Sequence, residues 1–360
     1  MNIIIKNWWK DIDKFIFILS LTLLAIGTIL SITGTTDISN FETTYFMKRH
    51  LIFVFISVFI IIIFSIQDDK FIRRVSFLGV IISIVFMLYI FLIDYEINGS
   101  KRWLPIFGFT IQPSEFLKTF FVVISAWFLN KGLEGKKYGF NIILPIFIIS
   151  STLLILQPDF GMTILFMIVF FAQLFVAGLS IFFVIILGLI IFIVSLFSYY
   201  FIDNVKRRVD LFFDPSSGDS FQISQSLLAF KSGGFFGKGL GNGILKNNIP
   251  DAHTDFIFSV AGEEFGYIFC SIIIFIFLTI IIRSLVLAIK KREPHSLILV
   301  VGLVCLFGFQ ALINIASSIN AIPTKGMTLP LISYGGSSML SSSILIGILL
   351  SYTKKFSIKK

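Results

Sequence analysis

The apolar runs of this chain decide its fold class before any other feature. Stretches of roughly 17–25 apolar residues recur from end to end, each long enough for a helix to cross the hydrocarbon core of a bilayer. About ten can be separated, at roughly 15–34, 50–67, 75–93, 114–130, 141–157, 160–178, 181–202, 256–282, 296–319 and 332–353. The divisions at Pro158 and at Ala177–Gly178 rest on Gly, Pro and charged residues interrupting one long apolar stretch. The expectation is an all-α polytopic membrane protein, a single integral membrane domain over residues 1–360. Composition agrees: 56% of the residues are hydrophobic and 45 are Phe, against about 45–50% apolar content in soluble domains. The first run, about Phe15 to Gly34, is too long for a signal-peptide core and lacks a small-x-small cleavage site. It reads as an anchor that stays.

A net charge of +9 raises the question of nucleic acid. The distribution answers it, because the basic residues fall in short clusters between apolar runs, as cytoplasmic loops require. With the N-terminus inside, the inner segments carry about 17 Lys/Arg against about 6 Asp/Glu, and the outer ones about 12 against about 14. Both termini are therefore expected in the cytoplasm, and the basic excess is a topology signal. Cys270 and Cys305 lie inside apolar runs and read as packed thiols, with no metal or disulfide spacing.

This orientation gathers the unusual polar segments on the outer side: Asn98–Gln112, Gln157–Gly161, Asp203–Thr254 and Asn320–Leu331. The third is a large extracytoplasmic loop, about 203–254, between the seventh and eighth helices, and it is too long to be structureless in a compact protein. Within it, Phe221, Ile223, Leu227, Leu228 and Phe230 among Gln and Ser suit an amphipathic helix on the outer membrane surface. Asp214 to Asp219 before it is turn chemistry. Gly233–Gly243 fails both the Walker and the GxGxxG patterns and reads as a hinge or a lipid-headgroup contact.

Pro250–Glu264 carries five ionisable residues, Asp251, His253, Asp255, Glu263 and Glu264, where a polar loop becomes an apolar run. Such a cluster is costly at a membrane boundary, and chemistry centred on Asp255 is one reason for it. On a straight helix both glutamates would sit about 12 Å below Asp255, where they must be neutral, paired or beside water. Lys118 is a candidate partner for them. Glu115 and Lys118 lie three apart at the outer start of the fourth run, so they share a helix face and can pair. The pair reads either as a lock between helices or, with Arg102, as a cationic site for an anionic lipid headgroup. Asp159 reads first as a helix cap and second as a cavity residue. Pro323–Ser338 is a broken helix end whose Lys325, Ser333, Tyr334, Ser337 and Ser338 are placed to line a polar groove. Three histidines exclude a His-rich metal site, while a carboxylate-held divalent cation, Mg or Mn, stays open.

Four separated blocks, KRWLPIFGFTIQPSEFLK at 101–118, QPDFGM at 157–162, AHTDFIF…GEEFG at 252–266 and PTKGMTLPLISYGGSS at 323–338, resemble the SEDS family of peptidoglycan glycosyltransferases, the FtsW/RodA type. The last block is similar to the division members more than to the elongation members. The resemblance implies a ten-span enzyme polymerising lipid II at the outer face of the bacterial cytoplasmic membrane, at the septum in the division members. It implies a class B penicillin-binding transpeptidase and other division proteins as partners. It matches Asp255 to the family's essential acid, and Arg102, Glu115 and Lys118 to its sensitive charged residues.

In such a reaction the leaving group is a pyrophosphate, which needs its charge stabilised and needs no proton. One base with cations is then enough, unlike the two carboxyls of a typical glycoside hydrolase. The expectation is an inverting transfer in which Asp255 deprotonates the acceptor hydroxyl and Arg102 and Lys118 stabilise the pyrophosphate. Asp159, Lys325 and Ser333 would contact substrate, while Glu263, Glu264 and His253 support the site. A lipid II flippase or a scaffold for the transpeptidase are the rival readings, and an elongation-type polymerase is the nearer alternative.

Overall fold

The fold was obtained as a computed structural model that describes residues 8–34, 40–93, 95–96, 101–106, 109–136, 138–201, 203–214, 221–323 and 326–354. Its helices are α1 (Lys14–Thr33), α2 (Asn40–Ile66), α3 (Asp69–Ile90), α4 (Pro113–Leu133), α5 (Tyr138–Leu156) and α6 (Phe160–Val176). They continue as α7 (Ile181–Phe201), α8 (Asp203–Phe213), α9 (Phe221–Gly233), α10 (Ile257–Lys291), α11 (Pro294–Ser318) and α12 (Gly336–Tyr352). Seven are long and apolar enough to cross a bilayer, and α6, α7 and α12 supply three further apolar helices. The ten apolar runs thus correspond to α1–α7 and α10–α12.

Helix starts follow local chemistry. Asp13 caps α1 by accepting from Ile16 N at 3.0 Å, and Asp68 caps α3 through Phe71 N at 3.0 Å. Pro113 and Pro294 open α4 and α11, where the missing N–H removes nothing from the ladder. One departure from an all-helical chain is a small antiparallel hairpin, β1 (Leu104–Ile106) with β2 (Phe109–Ile111), paired Leu104 to Ile111.

The core runs along α4, whose side chains are buried over most of its length. Phe121 and Phe166 meet between α4 and α6 at 4.5 Å with tilted rings, Phe147 of α5 meets Phe170 at 4.4 Å, and Phe277 and Phe307 join α10 to α11 at 4.9 Å. Polar side chains add interhelical bonds, which lipid favours. Ser125 donates to Gln173 at 2.5 Å, and Ser341 of α12 donates to the Glu115 carbonyl at 2.6 Å. By contrast, α7 leaves most of its described apolar side chains exposed, as a helix facing hydrocarbon does.

The bundle has two chemically distinct ends. At one, Asp13 pairs with Arg283 at 2.8 Å, Lys291 reaches the Tyr352 carbonyl at 3.4 Å, and Tyr352 Oη donates to Asp69. These contacts bring the start of α1, the α2–α3 and α10–α11 turns and the end of α12 together, so the first and last described helices begin and end on one side. The opposite end carries Arg102, Gln157–Asp159, the 237–256 segment and the start of α12.

α10 is not one straight helix. Gly266 has φ 80° and ψ −179°, which breaks it into 257–265 and a long second part. Only glycine adopts that conformation without strain. The glycine-rich segment fills the break: Tyr267 N donates to Gly234 O at 2.9 Å, Lys238 N to Glu263 O at 3.0 Å and Gly239 N to Glu264 O at 2.9 Å. The backbone groups freed by the break are thus satisfied inside the protein, as a membrane protein needs. Gly233–Gly243 is therefore a plug docked through its backbone, which corrects its reading as a hinge, while Phe235, Phe236 and Leu240 stay exposed.

Candidate active site

Asp255 sits just before α10, which starts at Ile257 with Phe256 as its cap, so it belongs to the loop rather than to the helix. Its backbone N–H donates to Asp251 O at 3.0 Å, and its carbonyl accepts from Asn314 Nδ2 of α11 at 2.8 Å. The carboxyl faces the segment leading into α12: a Cβ built on Gly326 would stand 2.8 Å from Asp255 Oδ2. A glycine there lets the two strands of loop approach each other. Asn314 also donates to Met327 O at 2.6 Å, so one carboxamide ties both together.

The same two loops are joined further along. Tyr334 N donates to His253 O at 2.9 Å, and Ser333 Oγ donates to Thr254 O at 2.6 Å while accepting from Leu329 N at 2.8 Å. Ser333 is buried, and its hydroxyl bonds to protein on both sides. His253 packs in an aromatic cluster with Phe46 and Tyr334, at ring distances of 5.4 and 5.6 Å. Burial pulls its imidazole below the usual histidine value, opposed by the Asp251 carboxylate. Lys325, expected to line this groove, lies outside the described residues, as do the turn residues Pro215–Asp219.

The cation lies on α4. Lys118 Nζ is 2.6 Å from Glu115 Oε2 and donates to Gln310 Oε1 of α11 at 2.7 Å, with all three side chains buried. Gln310 in turn donates to Thr328 O at 3.1 Å, two residues from Gly326. A continuous path of short contacts therefore links Glu115, Lys118, Gln310 and the 326–328 segment beside Asp255.

Arg102 organises the neighbouring turn. Its Nε donates to Gln157 O at 2.9 Å, one terminal nitrogen donates to Pro158 O, and the other lies 3.6 Å from Asp159 Oδ1. Asp159 caps α6 by accepting from Met162 N at 3.5 Å, as its first reading expected, and Gln112 Nε2 adds a contact at 3.4 Å. Gln112 N donates to Ser337 Oγ at 3.0 Å, which fastens the hairpin end to α12.

Glu263 and Glu264 have partners other than Lys118. Glu263 accepts from Ile244 N, Leu245 N and Lys246 N at 2.9, 2.9 and 2.8 Å, capping the 3-10 turn Leu245–Asn248, and Lys238 Nζ stands 3.7 Å away. Glu264 pairs with Lys246 Nζ at 2.6 Å, and that ammonium also donates to Thr33 O at 2.5 Å. Lys118 is committed to Glu115 and Gln310 instead. The depth expectation also needs correction. From the Arg283–Asp13 pair to the Lys246 bridge, α10 covers nineteen residues and α1 twenty, about 28 and 30 Å at about 1.5 Å per residue. Glu264 is thus level with the outer end of α1, whose Gly34 also meets His253, with a Cβ there 3.8 Å from the His253 Cβ. Gly266 breaks the helix just after the two glutamates, so 257–265 do not simply continue the long second part of α10.

Among the described residues, no group of three or more His, Cys, Asp or Glu is placed to hold a metal ion. What the geometry offers is one loop carboxyl, a buried lysine on a neighbouring helix and an arginine on the Gln157–Asp159 turn, at one end of the helical bundle. The model of the FtsW–RodA–SpoVE cell cycle proteins matches residues 13–357.

The chain belongs to that family.

It is 37% identical over 353 residues to the probable peptidoglycan glycosyltransferase FtsW of Caulobacter vibrioides, covering 97% of this chain and 90% of that one. To the protein of the same name from Aliivibrio salmonicida it is 32% identical over 358 residues, covering 94% and 88%. Among solved structures, the rod shape determining protein RodA of Thermus thermophilus superposes with a TM-score of 0.71 at 21% identity, over 96% of this chain and 97% of that one. A chain from a peptidoglycan synthase complex gives 0.78 at 20% identity, over 95% and 97%. The family fold thus extends along essentially the whole chain, with Asp255, Lys118 and Arg102 at one end of it.

Proposed function

We propose that this protein is a peptidoglycan glycosyltransferase that polymerises lipid II at the outer face of the cytoplasmic membrane during cell division. The observation that carries this reading is the linked pair of a loop carboxyl, Asp255, and a buried cation, Lys118, joined through α11 and the 326–328 segment. Relatives named FtsW at 31–38% identity support the division role.

Asp255 acts as general base. It takes the proton of the acceptor sugar hydroxyl as that oxygen attacks the anomeric carbon of a second lipid-linked sugar from the face opposite the pyrophosphate. The new glycosidic bond forms as the bond to the pyrophosphate oxygen breaks, and configuration inverts. A positioned base of this kind contributes roughly 10²–10⁴-fold. Lys118 is held and oriented by Glu115, and stabilises the negative charge that develops on the pyrophosphate. Arg102, bound to three consecutive residues of the Gln157–Asp159 turn, holds the rim of the site and adds positive charge there. Lys325 and Asp159 contact substrate, and a divalent cation arriving with the pyrophosphate would add Lewis-acid stabilisation.

The partner is a class B penicillin-binding transpeptidase, which cross-links the strands as they emerge, and the complex works at the septum. The test is purified protein with that partner and fluorescent lipid II. The expected product is a ladder of glycan polymer. Lipid II crossing sealed vesicles with no polymer formed would overturn the reading in favour of transport.

A further inference from the structure

Gln310 and Asn314 lie four residues apart on α11, so their side chains stand about 5–6 Å apart on one helix face. Both are buried, Asn314 completely. Gln310 Oε1 accepts from Lys118 at 2.7 Å, while its Nε2 faces Thr328 O at 3.1 Å, Thr328 Oγ1 at 3.3 Å and Ser338 Oγ at 3.4 Å. Asn314 Nδ2 donates to two carbonyls, Asp255 O at 2.8 Å and Met327 O at 2.6 Å. The amide orientations follow from the partners, because an ammonium only donates and a carbonyl only accepts.

We propose that Gln310 and Asn314 form a two-carboxamide clamp, a pair of positioning residues that sets the separation of the base Asp255 from the cation Lys118. The inference rests on the proposed roles of those two residues.

The chemistry of the site favours carboxamides at these places. Gln310 must accept from an ammonium and donate to a peptide carbonyl at once, without altering the charge between them. A carboxylate there would set a second negative charge against Lys118 beside Glu115 and repel the Thr328 carbonyl, and an apolar side chain would take away the Lys118 acceptor and the Thr328 donor together. Asn314 shows the same bias. Its Nδ2 serves two carbonyls, while its own Oδ1 is buried with no hydrogen-bond partner among the described residues. A buried acceptor left in that state costs stability, so the two donations hold the loops at the expense of the side chain's own satisfaction. α11 is a suitable mount, since it packs on α4, α6 and α10 within the core. The cation and the base sit on different parts of the chain, one on a helix and one on a loop. α11 supplies the rigid element that both are measured against.

The test is steady-state lipid II polymerisation by the full chain with its transpeptidase partner, for Gln310→Met, Asn314→Leu and the double variant. Displacing a reacting group by about 1 Å lowers turnover by about 10²-fold. Each single variant is therefore expected to lose about 10- to 100-fold in kcat with KM little changed. The double variant is expected to be no slower than the slower single, because either change releases the same separation. Losses that multiply in the double variant, or that appear in KM alone, would overturn the clamp. If Gln310→Met does not accumulate folded, Gln310→Glu serves: it keeps size and the acceptor toward Lys118, loses the donor toward Thr328, and a wild-type kcat for it would also overturn the clamp. Asp255→Ala and Lys118→Met run alongside. Wild-type polymerisation by either defeats the reaction centre itself. Loss in both, with wild-type rates for the carboxamide variants, defeats the clamp alone.

Discussion

Lys246 and Glu264 form an ion pair at 2.6 Å in which both side chains are completely shielded from solvent. The lysine comes from the long outer loop and the glutamate from the short first part of α10. Between them they fasten the loop to the bundle, and the lysine's further bond to Thr33 O extends the attachment to α1. The 246–256 segment runs directly from this anchor into Asp255, so the pair is part of what keeps the proposed base in place.

Removing one partner of a buried pair strands a charge, which costs about 3–5 kcal/mol. Lys246→Met is expected to lower the melting temperature of the purified protein sharply, measured by intrinsic fluorescence in detergent. Lys246→Met with Glu264→Gln should recover much of the loss, because no buried charge is then left unpaired. A double variant as unstable as the single would show that the pair is not the origin of the effect.

Gly266 tests the break in α10. A Cβ there would stand 2.4 Å from Phe235 O, in a backbone conformation that L side chains avoid. The conformational part alone costs about 1–3 kcal/mol. Gly266→Ala should destabilise the plug and expose the 234–243 segment to limited proteolysis. Gly234→Ala, with φ 58° and open space around its Cβ, should be much milder. Equal protease sensitivity of the two variants would count against the docked plug.

His253 gives a pH signature. Burial lowers its folded pKa from the ordinary 6.5, with Asp251 opposing and the His50, Tyr334 and Phe46 rings packed around it. The unfolded chain therefore takes up the proton first as pH falls. The contribution of neutral His253 is fully present above about pH 6.5 and is lost as pH drops through the folded value. Melting temperature should fall more steeply in wild type than in His253→Gln when pH is lowered from about 7.5 to about 5.5. Parallel curves would remove His253 as the group responsible.

Much of this was legible in the chain because lipid enforces it. Ten apolar runs became ten apolar helices, since a membrane leaves a long apolar segment few other options. Glu115 and Lys118 could be paired from their spacing, and Asp159 assigned as a cap, because both are local to one helix. The contacts that escaped are those between distant segments. Lys246 looked like an ordinary loop lysine, and nothing in its neighbourhood announced that a glutamate eighteen residues later would bury it. Gln310 and Asn314 lie within an apolar run, and two carboxamides one turn apart there were the available signal. Gly266 was visible as a glycine in GEEFG, but its break, which lifts Glu263 and Glu264 to the outer end, depends on the plug that fills it.

The central claim is that Asp255 is the base. It is tested most directly by the initial rate of lipid II polymerisation by purified Asp255→Ala, compared with wild type in the presence of the transpeptidase partner. The account predicts a fall of roughly 10²–10⁴-fold, with the melting temperature and lipid II binding close to wild type. Glycan polymer made at the wild-type rate by Asp255→Ala would contradict it.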